Sequence, residues 1–329
     1  MESTTDPAAE PAATATTTAP AGSVPDGRAG AVGTPPRRHR LRQLTARDRS
    51  VVGLMVLVPL ALVLVFVWLP AIVTVLLSFT NWDGIGGLST IKWIGLANYD
   101  NVVTIYPPFK PAVEHNVLWL AVLFFIATPF GVFLAVLLDK EIKGSRIYQT
   151  AIYLPVVLSL ALIGFIWQLF YSRDQGLLNA VLGTKIDWYG DSSVNIWAVL
   201  VAASWRHVGY IMLLYLAGLK GVDPTLREAA TIDGANSRQT FFKVVFPVMR
   251  PINVIVLVIT VIEALRAFDI VWVVNKGRNG LELISALVTQ NVVGEASRIG
   301  FGSALATFML IVSLVFITIY LATVMREDK

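Results

Sequence analysis

The sequence predicts an all-α polytopic membrane protein with six transmembrane helices and both termini cytoplasmic. Three observations carry this expectation. Of the 329 residues, 55% are hydrophobic and 15% charged, against roughly 25% charged in an average soluble domain, and the mean hydropathy is +0.67. Six apolar runs are each long enough to cross about 30 Å of hydrocarbon as a helix. Finally, counted from the basic cluster at Arg37 onward, sixteen Lys and Arg fall on the inner side of an even-numbered topology and seven in its outer loops, the asymmetry that orients membrane proteins.

The elements follow in order. Met1 to about Pro36 is built from Ala, Thr, Pro, Gly and Ser without an aromatic residue, so it cannot bury enough surface to offset the entropy of ordering. Residues 1–49 are therefore expected to form a disordered cytoplasmic tail that ends in a basic juxtamembrane segment, Arg37 to Arg49. The tail lacks the basic start and apolar stretch of a secretory signal, so no cleavage is expected. Residues 50–329 carry the spans, placed at Val51 to Phe79, Val113 to Leu138, Tyr148 to Tyr171, Val194 to Leu219, Pro251 to Val274 and Phe301 to Met325. Pro70 is expected to kink the first span or mark its outer end, because proline removes a helical hydrogen bond and crowds the preceding turn.

Composition also excludes chemistry. With no Cys and three scattered His, a disulfide, an iron–sulfur cluster or a Cys-built zinc site is ruled out, and no metal site is expected. The pI near 9.3 is not matched by a basic patch interleaved with aromatic residues, so no nucleic-acid partner is expected. No catalytic residue is assigned: Ser303 follows Gly302, but neither His115 nor His207 has a sequence link to it.

The longest cytoplasmic loop, 220–250, reads as two short helices rather than a linker. Asp223 can cap the first, Pro224 fits its first turn, and Gly234 suits the left-handed residue that ends it. Ser237 can cap the second, which is expected to run through Phe241, Phe242, Val244 and Val245 until Pro247 stops it. Small residues at Ala229, Ala230 and Ala235 permit close approach, while Glu228, Asp233, Arg238 and Lys243 can pair with a partner. An interfacial helix resting on lipid is the alternative, but the first helix offers lipid one large anchor pair, Leu226 and Ile232. Protein docking is the favoured reading.

Arg227-Glu-Ala-Ala-Thr-Ile-Asp-Gly-Ala235, with Phe246-Pro247 and Arg250-Pro251 behind it, resembles the EAA loop of the permeases of binding-protein-dependent ABC importers. The lead-in Leu216-Ala-Gly-Leu-Lys-Gly-Val-Asp-Pro224 is similar to that of carbohydrate importers of the MalF and UgpA type, as are Ser78-Phe-Thr-Asn-Trp-Asp-Gly84, Gly95-Leu-Ala-Asn-Tyr99 and Asn116. The resemblance covers about Ser50 to Arg326. It implies a type I ABC importer permease fold in a bacterial inner membrane. The implied partners are a second, similar permease, two ATPase subunits, an extracytoplasmic solute-binding protein and a carbohydrate substrate. The chain has no Gly-x-x-x-x-Gly-Lys-Ser/Thr loop, so it is expected to have no ATPase site or cofactor of its own, with ATP and Mg held by the partner subunits. Glu228, Ala229, Ala230, Asp233, Gly234, Ala235 and Pro247 are, by the resemblance, the coupling residues: the loop docks on the ATPase and works as a lever.

Ionisable residues inside spans cost about 2.5–3.5 kcal/mol at a helix centre and should face protein or water. Arg206 and Glu263 reach mid-membrane depth and can pair with each other. Glu263, Arg266 and Asp269 are expected along one helical face with Trp272 one step further, a pattern able to bind sugar hydroxyls beneath an aromatic ring. Trp205, His207 and Tyr210 could form the opposite wall. An internal ion pair with interfacial Trp and Tyr explains the same residues, and both readings stand. In the first outer loop, Trp82 and Asp83 are candidates for binding-protein contact or ordinary turn residues. An ion-coupled secondary carrier using Glu263 is the alternative function, although such carriers show internal repeats and more spans.

Overall fold

The computed structural model describes residues 45–85, 87–140, 143–294 and 297–327. The expected disorder of the tail, and the basic residues at 37–42, lie outside them. Packing divides the chain into Met1–Leu57 and Val58–Lys329. The described part of the first is the beginning of an exposed apolar helix. The regular structure of the second is helical apart from one isolated bridge, Thr80 to Trp93, among its described residues.

Among the described residues four helices are long and apolar enough to cross a membrane: α1, Arg47–Leu77; α2, Phe109–Asp139; α5, Asn195–Lys220; and Ile299–Thr318 within α10, Ile299–Glu327. A fifth candidate is the pair α3, Ser145–Val157, and α4, Leu160–Phe170, which meet at 106°. Among the shorter helices are α6, Pro224–Ile232; α7, Arg250–Leu265; α8, Asp269–Asn275; and α9, Ile284–Val292.

Two expected spans are therefore broken. The third bends at Leu158 and Ser159, both extended, where Ser159 Oγ accepts from the Leu162 amide and so starts a new helix. Pro155 lies inside the last turn before this break, and has no amide to help continue it. The fifth stops at Leu265 and resumes at Asp269. Carbonyls released there find side chains from elsewhere: Asn116 of α2 donates to Ala264 O at 3.3 Å, and Ser285 of α9 donates to Ala267 O. A buried helix end satisfied in this way can persist inside the fold.

Pro70 does not end the first span, which runs on to Leu77. A π-turn over Leu64–Trp68 precedes it instead. The same arrangement recurs at Leu123–Ala127 before Pro129 and at Phe241–Val245 before Pro247. In each, proline removes the donor for a carbonyl four residues back, and the wider i→i+5 pairing re-registers the chain just ahead of it.

The most buried span is α5, with 56% of its apolar window inside the protein. In lipid, helices gain little by hiding apolar surface, so close packing of small residues carries more weight. A Cβ at Gly131 would lie 2.8 Å from Ile211, and one at Gly209 would lie 2.3 Å from the Ile152 carbonyl oxygen. These two glycines seat α5 against α2 and α3. On one side of the core Trp119, Leu123, Ile163, Leu200 and Ile270 pack together, and on another Leu138, Ile211, Met212, Leu219 and Met249.

Candidate functional site

The 220–250 loop, expected on the cytoplasmic side, folds as two helices at an exposed surface. Asp223 caps α6, accepting from the Thr225 amide at 2.9 Å, and these bonds hold its carboxyl below the usual range, the backbone one contributing most. Pro224 occupies the first turn, and Gly234 follows the helix with φ of +79°. That left-handed conformation costs other residues about 1–2 kcal/mol. The second helix starts one residue earlier than expected. Asn236, not Ser237, is its cap, because Asn236 and Gln239 exchange bonds of 2.9 Å in a reciprocal capping box. Pro247 does not stop it either: the chain continues through Phe246–Val248 and breaks at Met249.

Glu228, Ala229, Asp233, Gly234 and Pro247 are exposed, Ala235 is half-buried, and Ala230 is buried at 7%. Ile232 is 86% exposed and Leu226 38%. Glu228 and Ile232 are four apart on one helix, so an acid and a large apolar residue share an exposed face. Underneath, Arg227 Nη1 donates to Asp139 Oδ2 at 2.7 Å and its Nη2 to Leu219 O at 3.0 Å. Sequence reading quoted Arg227 only as part of a motif and missed Asp139. An acid in the last turn of a helix, opposed to the helix dipole, was the signal that could have found it.

Arg206 Nη1 lies 3.4 Å from Glu263 Oε2, so the two charges expected at mid-membrane depth do pair. The Arg206 Nε is buried without a partner, as are Ser204 Oγ and Trp167 Nε1. Trp205 meets Trp167 edge-on at 5.9 Å. Glu263, Arg266, Asp269 and Trp272 do not form one helical face, because the chain leaves the helix between Leu265 and Asp269. Arg266 and Asp269 are exposed, and Trp272 stacks on Phe268 at 5.2 Å. Tyr210 is half-buried against the packed residues around Ile211. His207 is a buried core residue: its Nε2 lies 3.1 Å from Thr128 Oγ1 and 3.3 Å from Thr260 Oγ1, joining α5 to α2 and α7.

In the loop expected on the outer side, Trp82 and Asp83 line a cavity of about 550 Å³ with Asn101, Tyr106 and Arg298. Trp82 O accepts from Gly300 N, and Asp83 Oδ1 accepts from Ile85 N, both at 2.8 Å. Asn98 holds the same loop by donating to Ser78 O and Thr80 O at 2.8 Å.

The family model for the binding-protein-dependent transport system inner membrane component matches residues 127–326. The chain belongs to that family. It is similar to the probable ABC transporter permease protein YurN of Bacillus subtilis, with 32% identity over 81% of this chain and 94% of that one. It is also similar to the arabinooligosaccharides transport system permease protein AraP of Halalkalibacterium halodurans, with 32% identity over 70% and 75%. A bacterial ABC transporter involved in the import of the acidic polysaccharide alginate shares the fold, with a TM-score of 0.74 at 19% identity, over 86% of this chain and 97% of that one. The chain is thus a multi-pass permease of an ABC importer, and nothing in these likenesses favours an ion-coupled carrier.

Proposed function

We propose that this permease forms one half of the pore of a carbohydrate importer. The observation that carries the reading is an exposed two-helix loop inside the matched family region, with Glu228 and Ile232 facing outward. Two ATPase subunits, holding ATP and Mg, dock on that loop through Glu228, Ala229, Ala230, Asp233, Gly234, Ala235 and Pro247. A second permease completes the pore, as a heterodimer. An external solute-binding protein docks over Trp82 and Asp83, beside the cavity they line. The bent pair α3 and α4 and the broken pair α7 and α8 each count as one crossing, giving six spans with both termini in the cytoplasm of a bacterium and the protein in its inner membrane. Arg206, Tyr210, Glu263, Arg266, Asp269 and Trp272 line the solute route, and their balanced charges suit a hydroxyl-rich, uncharged solute. The carbohydrate class is supported by relatives such as AraP.

Purification of the complete complex, with permease, ATPase and binding-protein partners reconstituted in vesicles, tests the reading. ATP hydrolysis stimulated by a sugar-loaded binding protein, and uptake that survives collapse of ion gradients, is the expected result. Uptake that follows an ion gradient without ATP overturns it.

A further inference from the structure

We infer that Arg227 and Asp139 form a non-covalent bracket through which α6 moves α2, so that they are positioning residues for energy coupling. This rests on the proposed docking of α6 to an ATPase. The span α5 is tied to α6 by covalent chain, since only Gly221, Val222 and Asp223 separate them. The helix α2 has no such tether, being 88 residues away in sequence at the point of contact. Force from α6 reaches it through its packing on α5, where Gly131 is seated against Ile211, and directly through the Arg227 side chain.

The geometry suits that task. One guanidinium donates at 2.7 Å to the Asp139 carboxylate, in the last turn of α2, and at 3.0 Å to Leu219 O, in the last turn of α5. It therefore clasps the cytoplasmic ends of two spans from a third element. Charge-assisted bonds of this length are among the stiffer non-covalent links, and the planar fork fixes direction as well as distance. Asp139 has no favourable electrostatic reason to sit where it does without the cation. Its side chain is 13% exposed, and a carboxylate at a helix C-terminus faces the negative end of the dipole. Beside the bracket, Lys140, Thr231 and Ser237 line a cavity of about 440 Å³, so little other packing joins α6 to α2 there. Further along α2, Thr128 meets His207 and Thr260, so a shift of α2 reaches the middle of the bundle.

The test uses the complete complex in vesicles, measuring solute moved per ATP hydrolysed for Arg227→Gln, Asp139→Asn, the double variant and Arg227→Lys. Each single neutral variant is expected to keep solute-stimulated hydrolysis within about twofold while transport per ATP falls about tenfold. The double variant should be no worse than the poorer single, and Arg227→Lys should fall between. Because the chain has no Cys, spin labels at Leu137→Cys and Thr225→Cys report the same link without a transport assay. Their separation should be unchanged by ATP in the otherwise unmodified chain and should shift or broaden with ATP in both Arg227→Gln and Arg227→Lys. Unaltered transport per ATP in the neutral variants, additive losses in the double variant, or label distances indifferent to residue 227 overturn the bracket alone. Absence of solute-stimulated hydrolysis in the unmodified complex overturns the importer reading together with it.

Discussion

Gly234 and Glu228 show how two neighbours on one loop fail for different reasons when changed. A Cβ at Gly234 meets nothing within 4 Å, so the strain of a substitution there comes from φ of +79° alone. Gly234→Ala should cost about 1–2 kcal/mol locally, and Gly234→Pro, whose ring fixes φ near −65°, cannot adopt the turn. Glu228 is exposed. Glu228→Lys should therefore leave thermal stability in detergent unchanged while uptake falls at least tenfold, and Gly234→Pro should abolish uptake with insertion into the membrane intact. Normal uptake in either variant contradicts the lever. Asp223 adds a pH dependence with a definite sign. Its carboxyl is lowered on folding by the Thr225 amide, so the cap is fully formed above the unfolded value near about 4 and is lost only as pH falls through the lower folded value. The ratio of wild-type to Asp223→Asn transport should accordingly stay flat between about pH 6 and 8, and a titration of that ratio in this window would count against the cap.

At the scale of elements, the helix contacts are set by which atoms a new methyl group would meet. At Gly209 the obstacle is the Ile152 carbonyl oxygen at 2.3 Å, part of the α3 backbone, whereas at Gly218 it is the flexible end of Met249 at 2.7 Å. Gly209→Ala should destabilise the purified permease by about 1–3 kcal/mol of overpacking and lower its melting temperature well beyond Gly218→Ala, because a helix must move in one case and a rotamer in the other. Equal effects would mean that α3 and α5 are less closely seated than described. The three π-turns belong to this scale too. Each precedes a proline whose position was visible in the sequence, but the sequence suggested a kink or an end at Pro70 and a stop at Pro247. Re-registration into a wider turn depends on neighbours that hold the helix on course, and so it was not legible from local residues.

For the whole molecule, the Arg206 and Glu263 pair tests whether the charges serve folding, transport or both. Arg206→Ala leaves Glu263 unpaired and should destabilise the protein by about 1–2 kcal/mol, less than for a fully buried pair because the Glu263 side chain is 37% exposed. Adding Glu263→Gln should recover the melting temperature. If the residues line the solute route, uptake stays low in the double variant; recovered uptake would assign the pair to structure alone.

Membrane class, the loop helix with its cap and terminating glycine, and the pairing partners Arg206 and Glu263 were legible in the sequence because each follows from residue type, spacing or depth. The breaks at Leu158 and Arg266, the π-turns, the cap at Asn236 and the clasp between Asp139 and Arg227 were not. Hydropathy measures how strongly a segment prefers lipid, whatever its shape, so a straight span and a broken one score alike. Whether a helix may end inside the membrane depends on donors such as Asn116 and Ser285 arriving from distant segments to satisfy its carbonyls. Those meetings exist only once the chain is folded, which is why the tertiary structure alone decided them.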